Sequence, residues 1–157
     1  MKPSVYVETS VIGHLAAWPQ RDVIVLAHQI ATQKWWETAF DKFELFVSRM
    51  VVQECTAGDE NAARQRMEIV KKMQILITTP QAEALAANLI RGHAVPETEP
   101  EDALHIALAA IHGIQFLVTW NCRHIANVTN RAAIEGVCRL AGFEAPVICT
   151  PEELLEV

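Results

Sequence analysis

The sequence predicts an α/β domain of three layers, with helices on both faces of a central, mostly parallel five-stranded sheet. Short runs rich in Val, Ile, Leu and Phe alternate with helical stretches along the whole chain. The runs show little polar alternation, which is typical of strands buried on both faces. Strands that alternate with helices need crossover connections, and these favour parallel pairing. The predicted strands are residues 5–8, 44–47, 74–78, 115–119 and 146–149.

Helix start and stop signals lie between the predicted strands. Ser48, Asp59 and Thr79 can cap helices predicted over 49–55, 61–73 and 81–91, and Pro80 suits a first helical position. Two capping boxes are predicted as well, the first ahead of a helix over 102–112. Their residues are Thr98 with Glu101, and Thr150 with Glu153. Three glycines stand where helices should end, namely Gly92, Gly113 and Gly142.

A long helix is predicted over 21–40, after the break at Trp18-Pro19. Apolar residues recur along it at helical spacing, and two tryptophans lie near its end. We interpret this face as core packing, with a dimer or partner surface as the alternative. The residues concerned are Val23, Leu26, Ala27, Ile30, Ala31, Trp35 and Trp36.

Length and composition predict one domain over residues 1–157. No Pro/Gly/Ser-rich linker divides the chain, and no apolar run is long enough to span a membrane. The start of the chain has no signal-peptide pattern, so we expect a cytoplasmic protein. The net charge of −6 argues against a large nonspecific surface for nucleic acids, but it leaves room for an acidic metal site.

The four cysteines have no zinc-site spacing, and we expect each to be a small buried hydrophobe. They are Cys55, Cys122, Cys138 and Cys149.

Polar residues stand where a parallel sheet places its working edge, at the carboxyl ends of its strands. Glu8 ends the first predicted strand, and Asn121 follows the fourth. Glu54 and Asp102 lie within apolar helical segments. A buried carboxylate is costly unless it is paired or bound to metal. The acids have plainer interpretations: Glu8 as a solvated strand end or a helix N-cap contact, Glu54 as an exposed helix position, and Asp102 as a helix-dipole contact. Together with Asn121 they predict a site.

This set of residues suits phosphodiester hydrolysis. The reaction needs an activated water and a clamp on the charge that develops at phosphorus, and Mg²⁺ or Mn²⁺ held by carboxylates can supply both. We therefore predict Glu8, Glu54 and Asp102 as metal ligands. Asn121 is predicted to coordinate or to orient water, without adding charge.

Five nearby residues are secondary candidates: Ser10, Thr119, His105, Arg123 and His124. Either histidine can orient a ligand or contact substrate, or it can be an ordinary core or surface residue. Arg123 can touch a phosphate or belong to a solvated loop. Thr119 can bond near the site or simply suit a strand. In contrast, we interpret Glu99 and Glu101 as first-turn and capping residues.

The motifs around these candidates, in this order, resemble PIN domains across essentially the whole chain. They are Tyr6-Val7-Glu8-Thr9-Ser10-Val11-Ile12, Val51-Val52-Gln53-Glu54, Glu101-Asp102-Ala103-Leu104-His105-Ile106-Ala107 and Leu117-Val118-Thr119-Trp120-Asn121. The sequence is most similar to VapC-like ribonuclease toxins of toxin–antitoxin modules. The resemblance implies a Mg²⁺- or Mn²⁺-dependent endoribonuclease that acts on RNA, a cognate antitoxin and a homodimer. It also implies that Glu8, Glu54, Asp102 and Asn121 fill the four acidic positions, with Ser10 as the hydroxyl that holds the site together.

Two of these positions depart from the usual pattern. Glu8 is one methylene longer than the Asp that is usual there, and Asn121 removes a charge. We therefore expect one well-held metal, and a second only with substrate phosphate. Two alternatives follow: a non-catalytic PIN-like module that binds RNA or protein, and a different metal-dependent phosphohydrolase. The sequence lacks GxxxxGK[ST], GxGxxG, GxSxG and DxDx[TV] motifs, which argues against several other enzyme classes.

Overall fold

The five predicted strands form one sheet, and every pairing in it is parallel. The computed structural model describes residues 1–157. The strands are β1 (Ser4–Val7), β2 (Glu44–Ser48), β3 (Gln74–Leu76), β4 (Phe116–Val118) and β5 (Val147–Cys149). Their order across the sheet is β3-β2-β1-β4-β5. The predicted three-layer α/β fold is confirmed.

Seven helices connect and cover these strands. They are α1 (Thr9–Ala16), α2 (Val23–Lys42), α3 (Arg49–Cys55), α4 (Glu60–Val70), α5 (Pro80–Arg91), α6 (Pro100–Ile111) and α7 (Arg131–Leu140). A short 3-10 helix, Glu153–Glu156, follows β5. None of the helices is both long and apolar enough to span a membrane.

Strand β1 lies at the centre of the sheet, between β2 and β4. Tyr6 is paired with Phe46 on one side and with Leu117 on the other. Val5, Tyr6 and Val7 have no solvent exposure, as expected of a strand covered on both faces. Because all strands run in one direction, their carboxyl ends share one edge, where the chain leaves β1 and β4 toward the candidate residues.

The chain leaves β1 one residue earlier than predicted. Glu8 is not a strand residue but the N-cap of α1, although its backbone N–H still donates to the carbonyl of Val118 at 3.1 Å. No helix was predicted directly after this strand. This early turn brings α1 directly against the end of the sheet.

Most of the predicted caps are confirmed. Ser48, Asp59 and Thr79 accept hydrogen bonds from backbone N–H groups in the first turns of α3, α4 and α5. The capping box of Thr150 with Glu153 also forms, ahead of the 3-10 helix.

The predicted capping box of Thr98 with Glu101 was wrong. Helix α6 begins at Pro100, so Glu99 occupies the N-cap position, and it makes no capping hydrogen bond. Proline lacks an N–H and its fixed φ suits a first helical position, which sets the helix start after Thr98. Glu99 is thereby left free for another role.

The interpretation of the α2 face as core packing was also wrong in its first half. The side chains of Val23 and Ile30 are 79% and 49% exposed. The residues of α2 that are buried are the predicted Trp35 together with Gln29, Thr32 and Ala39. Two polar residues take core positions because their side chains bond locally, Thr32 to the carbonyl of His28 and Gln29 to that of Trp18.

Three of the four cysteines are buried, as predicted, and all are free thiols. Cys122 is exposed, which corrects the expectation for that residue. It lies in the polar loop after β4, where Asn121 and Arg123 flank it.

Candidate active site

The four principal candidates reach the carboxyl edge of the sheet from four different elements. Glu8 caps α1, Glu54 lies on α3, Asp102 lies in the first turn of α6, and Asn121 lies in the loop after β4. Glu8 is 6% exposed and Asp102 is 9% exposed. These two carboxylates are therefore almost removed from water, where an uncompensated charge is unfavourable.

Two hydroxyl groups hold the Glu8 carboxylate. The hydroxyl of Thr119 donates to Oε1 of Glu8 at 2.6 Å, and the hydroxyl of Ser10 donates to the same oxygen. Each hydroxyl also accepts from the loop after β4. Ser10 Oγ accepts the backbone N–H of Trp120, and Thr119 Oγ1 accepts that of Asn121, both at 2.9 Å. Ser10 and Thr119 thus join α1 to the end of β4 around one carboxylate.

Asp102 is bonded through both of its oxygens to the loop after β4. Oδ1 accepts from the side-chain amide of Asn121 at 3.2 Å, and Oδ2 lies 3.0 Å from Nδ1 of His124. The amide oxygen of Asn121 accepts the backbone N–H of His124 at 3.1 Å. Burial raises the pKa of Asp102 above its ordinary value, against the opposing effects of Asn121, His105 and His124. Its charge is therefore not fully compensated by the protein.

Glu54 lies at the partly exposed end of a chain of hydrogen bonds whose other side chains are buried. Oε1 of Glu54 lies 2.9 Å from Nε2 of His105, whose Nδ1 lies 2.7 Å from the hydroxyl of Tyr6. That hydroxyl lies 2.8 Å from Oγ of Ser48, which accepts the N–H of Val51. Nε2 of His105 is the donor to Glu54, since the carboxylate can only accept.

The pKa of Glu54 lies below its ordinary value. Burial acts in the other direction, but the hydrogen bond and charge of His105 and the hydrogen bond of Thr9 outweigh it. The hydroxyl of Thr9 donates to Oε1 of Glu54 at 2.7 Å. The network thus favours the ionised form of Glu54, whereas burial disfavours that of Asp102.

No lysine or arginine forms an ion pair with any of these carboxylates. The only basic side chains within ion-pair distance of Glu54 and Asp102 are His105 and His124, and Glu8 has none. Buried carboxylates without a fixed cation are the donor set that hard divalent ions prefer, so the residues fit Mg²⁺ or Mn²⁺.

One side-chain grouping differs from the predicted ligand set. Donor atoms of Glu99, Asp102 and His124 lie within 4.8 Å of one another, a spacing that can hold a metal ion. Glu8 and Glu54 belong to no such group, and one oxygen of each accepts from hydroxyl groups or from His105. Glu99, interpreted above as a first-turn residue, thus joins the candidates. Its position before Pro100 was the only signal in the sequence.

The remaining candidates differ in whether they contact the carboxylates. Ser10, Thr119 and His105 are part of the networks around the carboxylates. His124 contacts Asp102 directly, whereas Arg123 is exposed and its guanidinium makes no hydrogen bond or ion pair with the protein. Arg123 is therefore available to an external anion.

Sequence reasoning did not single out several residues that complete the site. Thr9, Tyr6 and Ser48 bond to the carboxylates or to His105. A serine cap and a strand tyrosine have plain structural explanations, so only the fold reveals their second contacts.

Comparison with known proteins agrees with this architecture. A PIN domain profile matches residues 5–128, which is most of the chain. The chain therefore belongs to the PIN domain family. No curated protein matches the sequence. Among solved structures, a chain of the crystal structure of VapBC2 from Rickettsia felis bound to a DNA fragment from their promoter is similar in fold. It superposes with a TM-score of 0.61 at 11% identity, covering 93% of this chain and 97% of that one.

Proposed function

We propose that the protein is a divalent-metal-dependent endoribonuclease that hydrolyses RNA phosphodiester bonds. The observation that carries the proposal is the set of carboxylates at the sheet edge, nearly buried in two cases, with no lysine or arginine to neutralise them. A bound divalent cation would compensate the negative charge of these carboxylates, which no lysine or arginine does. Membership of the PIN domain family supports the same chemistry.

In this proposal Asp102 is the central ligand, and Glu8 and Glu54 complete the set from the other side of the edge. Bound Mg²⁺ or Mn²⁺ would supply water activation and charge stabilisation at phosphorus. The protein's own contribution is positioning. Thr119 and Ser10 fix Glu8, His105 fixes Glu54, and Asn121 and His124 fix Asp102, so the carboxylates are held before the substrate arrives.

Glu99 and Arg123 extend the proposal beyond the predicted ligands. Glu99 lies close enough to Asp102 and His124 to share an ion with them. Arg123 is the exposed cation next to the site and is assigned to a substrate phosphate. Its removal should weaken RNA binding while leaving metal binding intact.

The test is a cleavage assay on total cellular RNA with mapping of new ends. Wild type and Asp102→Ala are incubated in Mn²⁺, in Mg²⁺ and in EDTA. Discrete cuts by wild type with metal, absent in EDTA and in the variant, are expected, and their positions name the RNA. Well-folded wild type that cuts nothing in either metal would contradict the proposal. Cuts that persist in Asp102→Ala would place the activity elsewhere or in a contaminant.

A second part of the proposal concerns partners and location. We infer that the protein is the toxin of a cytoplasmic toxin–antitoxin pair, because its fold is similar to a chain of a VapBC2 complex. The test is induced expression in a bacterial host with and without the product of the adjacent gene. Growth arrest by wild type, absent with Asp102→Ala and relieved by the neighbour, is expected. Arrest that is equally strong with Asp102→Ala would contradict this part.

We also propose that the protein forms a homodimer. The amino-terminal half of α2 exposes Val23, Ile24 and Ile30, which a second copy can cover. Light scattering should give a dimer mass for wild type and a monomer mass for Ile24→Lys. A monomeric wild type would contradict it.

The alternative is a non-catalytic PIN-like module that binds RNA or protein. Asn121 favours it, since an amide stands where another carboxylate would add to metal binding. In that case wild type binds RNA equally well in metal and in EDTA, and no new RNA ends form.

A further inference from the structure

Three aromatic side chains meet beside the candidate active site from three different elements. They are His14 of α1, His28 of α2 and Trp120 of the loop after β4, here called the aromatic platform. The rings of His28 and Trp120 are stacked, with centroids 3.9 Å apart and planes 9° apart. The ring of His14 meets both at a steep angle, at 6.0 Å and 6.1 Å. All three are half-buried, whereas Tyr6 and Trp35 are core residues.

The platform is fixed in place and connected to Glu8. The indole N–H of Trp120 donates to the hydroxyl of Thr32 at 2.7 Å, and that hydroxyl donates to the carbonyl of His28. The backbone N–H of Trp120 donates to Ser10, whose hydroxyl donates to Glu8. Because the indole N–H is used internally and one ring face is stacked on His28, the Trp120 side chain has only its remaining ring surface to offer an outside molecule.

The two imidazoles of the platform have unused hydrogen-bonding capacity. Neither the His14 ring nor the His28 ring makes a hydrogen bond within the protein, although each is partly buried. Burial, followed by the neighbouring His28, lowers the pKa of His14, against a smaller opposing effect of Glu8. The His14 ring is therefore mainly neutral at pH 7, and it can donate and accept rather than act as a cation.

We propose that the aromatic platform binds one base of a single-stranded RNA beside the bond that is cleaved. This inference rests on the ribonuclease function proposed above. Unstacked bases are commonly recognised by stacking on aromatic and histidine rings, with hydrogen bonds to their edges. The net charge of −6 gives little general attraction for an RNA backbone, so ring contacts have to supply more of the affinity.

The test compares two probes of equal charge in binding to the full-length protein. One is an eight-nucleotide oligoadenylate, and the other is an eight-unit ribose-phosphate chain without bases. Both carry phosphorothioate linkages that slow hydrolysis, and binding is measured by fluorescence anisotropy in Mg²⁺. Stacking of one base should make the oligoadenylate bind wild type about 5-fold tighter or more.

Variants of the platform locate the effect. His28→Ala should reduce the affinity ratio to about 1, whereas His28→Phe should preserve it because the ring is retained. Trp18→Ala is the matched control, since Trp18 is 79% exposed, lies outside the platform and bonds only through its carbonyl. Its ratio should equal that of wild type. Thermal melting confirms that each variant is folded.

The outcomes separate this inference from the function on which it rests. A wild-type ratio near one in a protein that still cleaves RNA overturns the platform alone. A preference that survives in folded His28→Ala also overturns it. A protein that neither binds the oligoadenylate nor cleaves cellular RNA overturns both proposals.

Discussion

The side-chain amide of Asn121 donates to Asp102, with 3.2 Å between Nδ2 and Oδ1. The sequence predicted that Asn121 coordinates or orients water without adding a charge. In the structure it also partly compensates a buried carboxylate, and its oxygen accepts the N–H of His124, which contacts the same Asp102. Asn121 therefore stabilises the metal-free site and orients two of its residues.

Asn121→Asp should make the metal-free protein less stable and bind Mn²⁺ more tightly. The change removes a donor to Asp102 and introduces a like charge at similar distance, which should destabilise the EDTA-treated protein by about 1–2 kcal/mol at pH 7. The rise in melting temperature on adding Mn²⁺ should exceed that of wild type. Calorimetry with and without Mn²⁺ measures both. The control is Asn61→Asp on the exposed face of α4, and an equal Mn²⁺ response in Asn121→Asp and wild type would refute the assignment.

Thr119→Val should remove the hydroxyl that links Glu8 to the loop after β4. The buried hydroxyl donates to Glu8 and accepts the N–H of Asn121, so valine leaves that N–H without a partner and removes one of the two donors to Glu8. We expect a loss of about 2 kcal/mol in the free energy of unfolding, together with a marked fall in RNA cleavage. Thr119→Ser retains the hydroxyl and should recover most of both. Urea denaturation and cleavage rates check this, and a Thr119→Ser as impaired as Thr119→Val would contradict it.

Glu54 should stabilise the metal-free protein at neutral pH and not in acid. Its folded-state pKa is lowered, so its contribution is present above the unfolded pKa and is lost as the pH falls through the folded value. Glu54→Gln should therefore be less stable than wild type by about 1 kcal/mol at pH 7, since Glu54 is partly exposed. The deficit should vanish as the pH falls through the folded-state pKa. A deficit independent of pH, by urea denaturation in EDTA, would show that the carboxylate charge is irrelevant.

Asp102 should show the opposite pH dependence. Burial raises its folded-state pKa, so its contribution is greatest when the group is protonated and falls as the pH rises from the unfolded to the folded value. In EDTA, the stability of Asp102→Asn relative to wild type should therefore improve with rising pH across that window. In Mn²⁺ wild type should regain the advantage. If the stability of Asp102→Asn relative to wild type falls with rising pH in EDTA, the charge of Asp102 is compensated by the protein and the assignment is contradicted.

The fold and the position of the principal carboxylates at the carboxyl edge of the sheet could be predicted, because both follow from short local sequence patterns. Buried strands are apolar runs, and caps such as Thr79-Pro80 mark helix starts within a few residues. The position of Glu99 could not be predicted, because a threonine and glutamate three residues apart imitate a capping box, and Pro100 decides the start instead. The contacts of Tyr6 with His105 and of Thr9 with Glu54 join residues 99 and 45 positions apart. Such contacts follow from the order of strands in the sheet and not from any local pattern.

The most direct test of the metal centre is anomalous diffraction from crystals soaked in Mn²⁺. We expect a strong anomalous peak at the carboxyl edge of the sheet, with Asp102 oxygens about 2.1–2.3 Å from the ion. Glu8, Glu54 or Glu99 should supply further oxygen ligands to it. Crystals of the Asp102→Asn variant should lack the peak. A Mn²⁺ ion bound elsewhere, or none at this edge in a protein that cleaves RNA, would contradict the account.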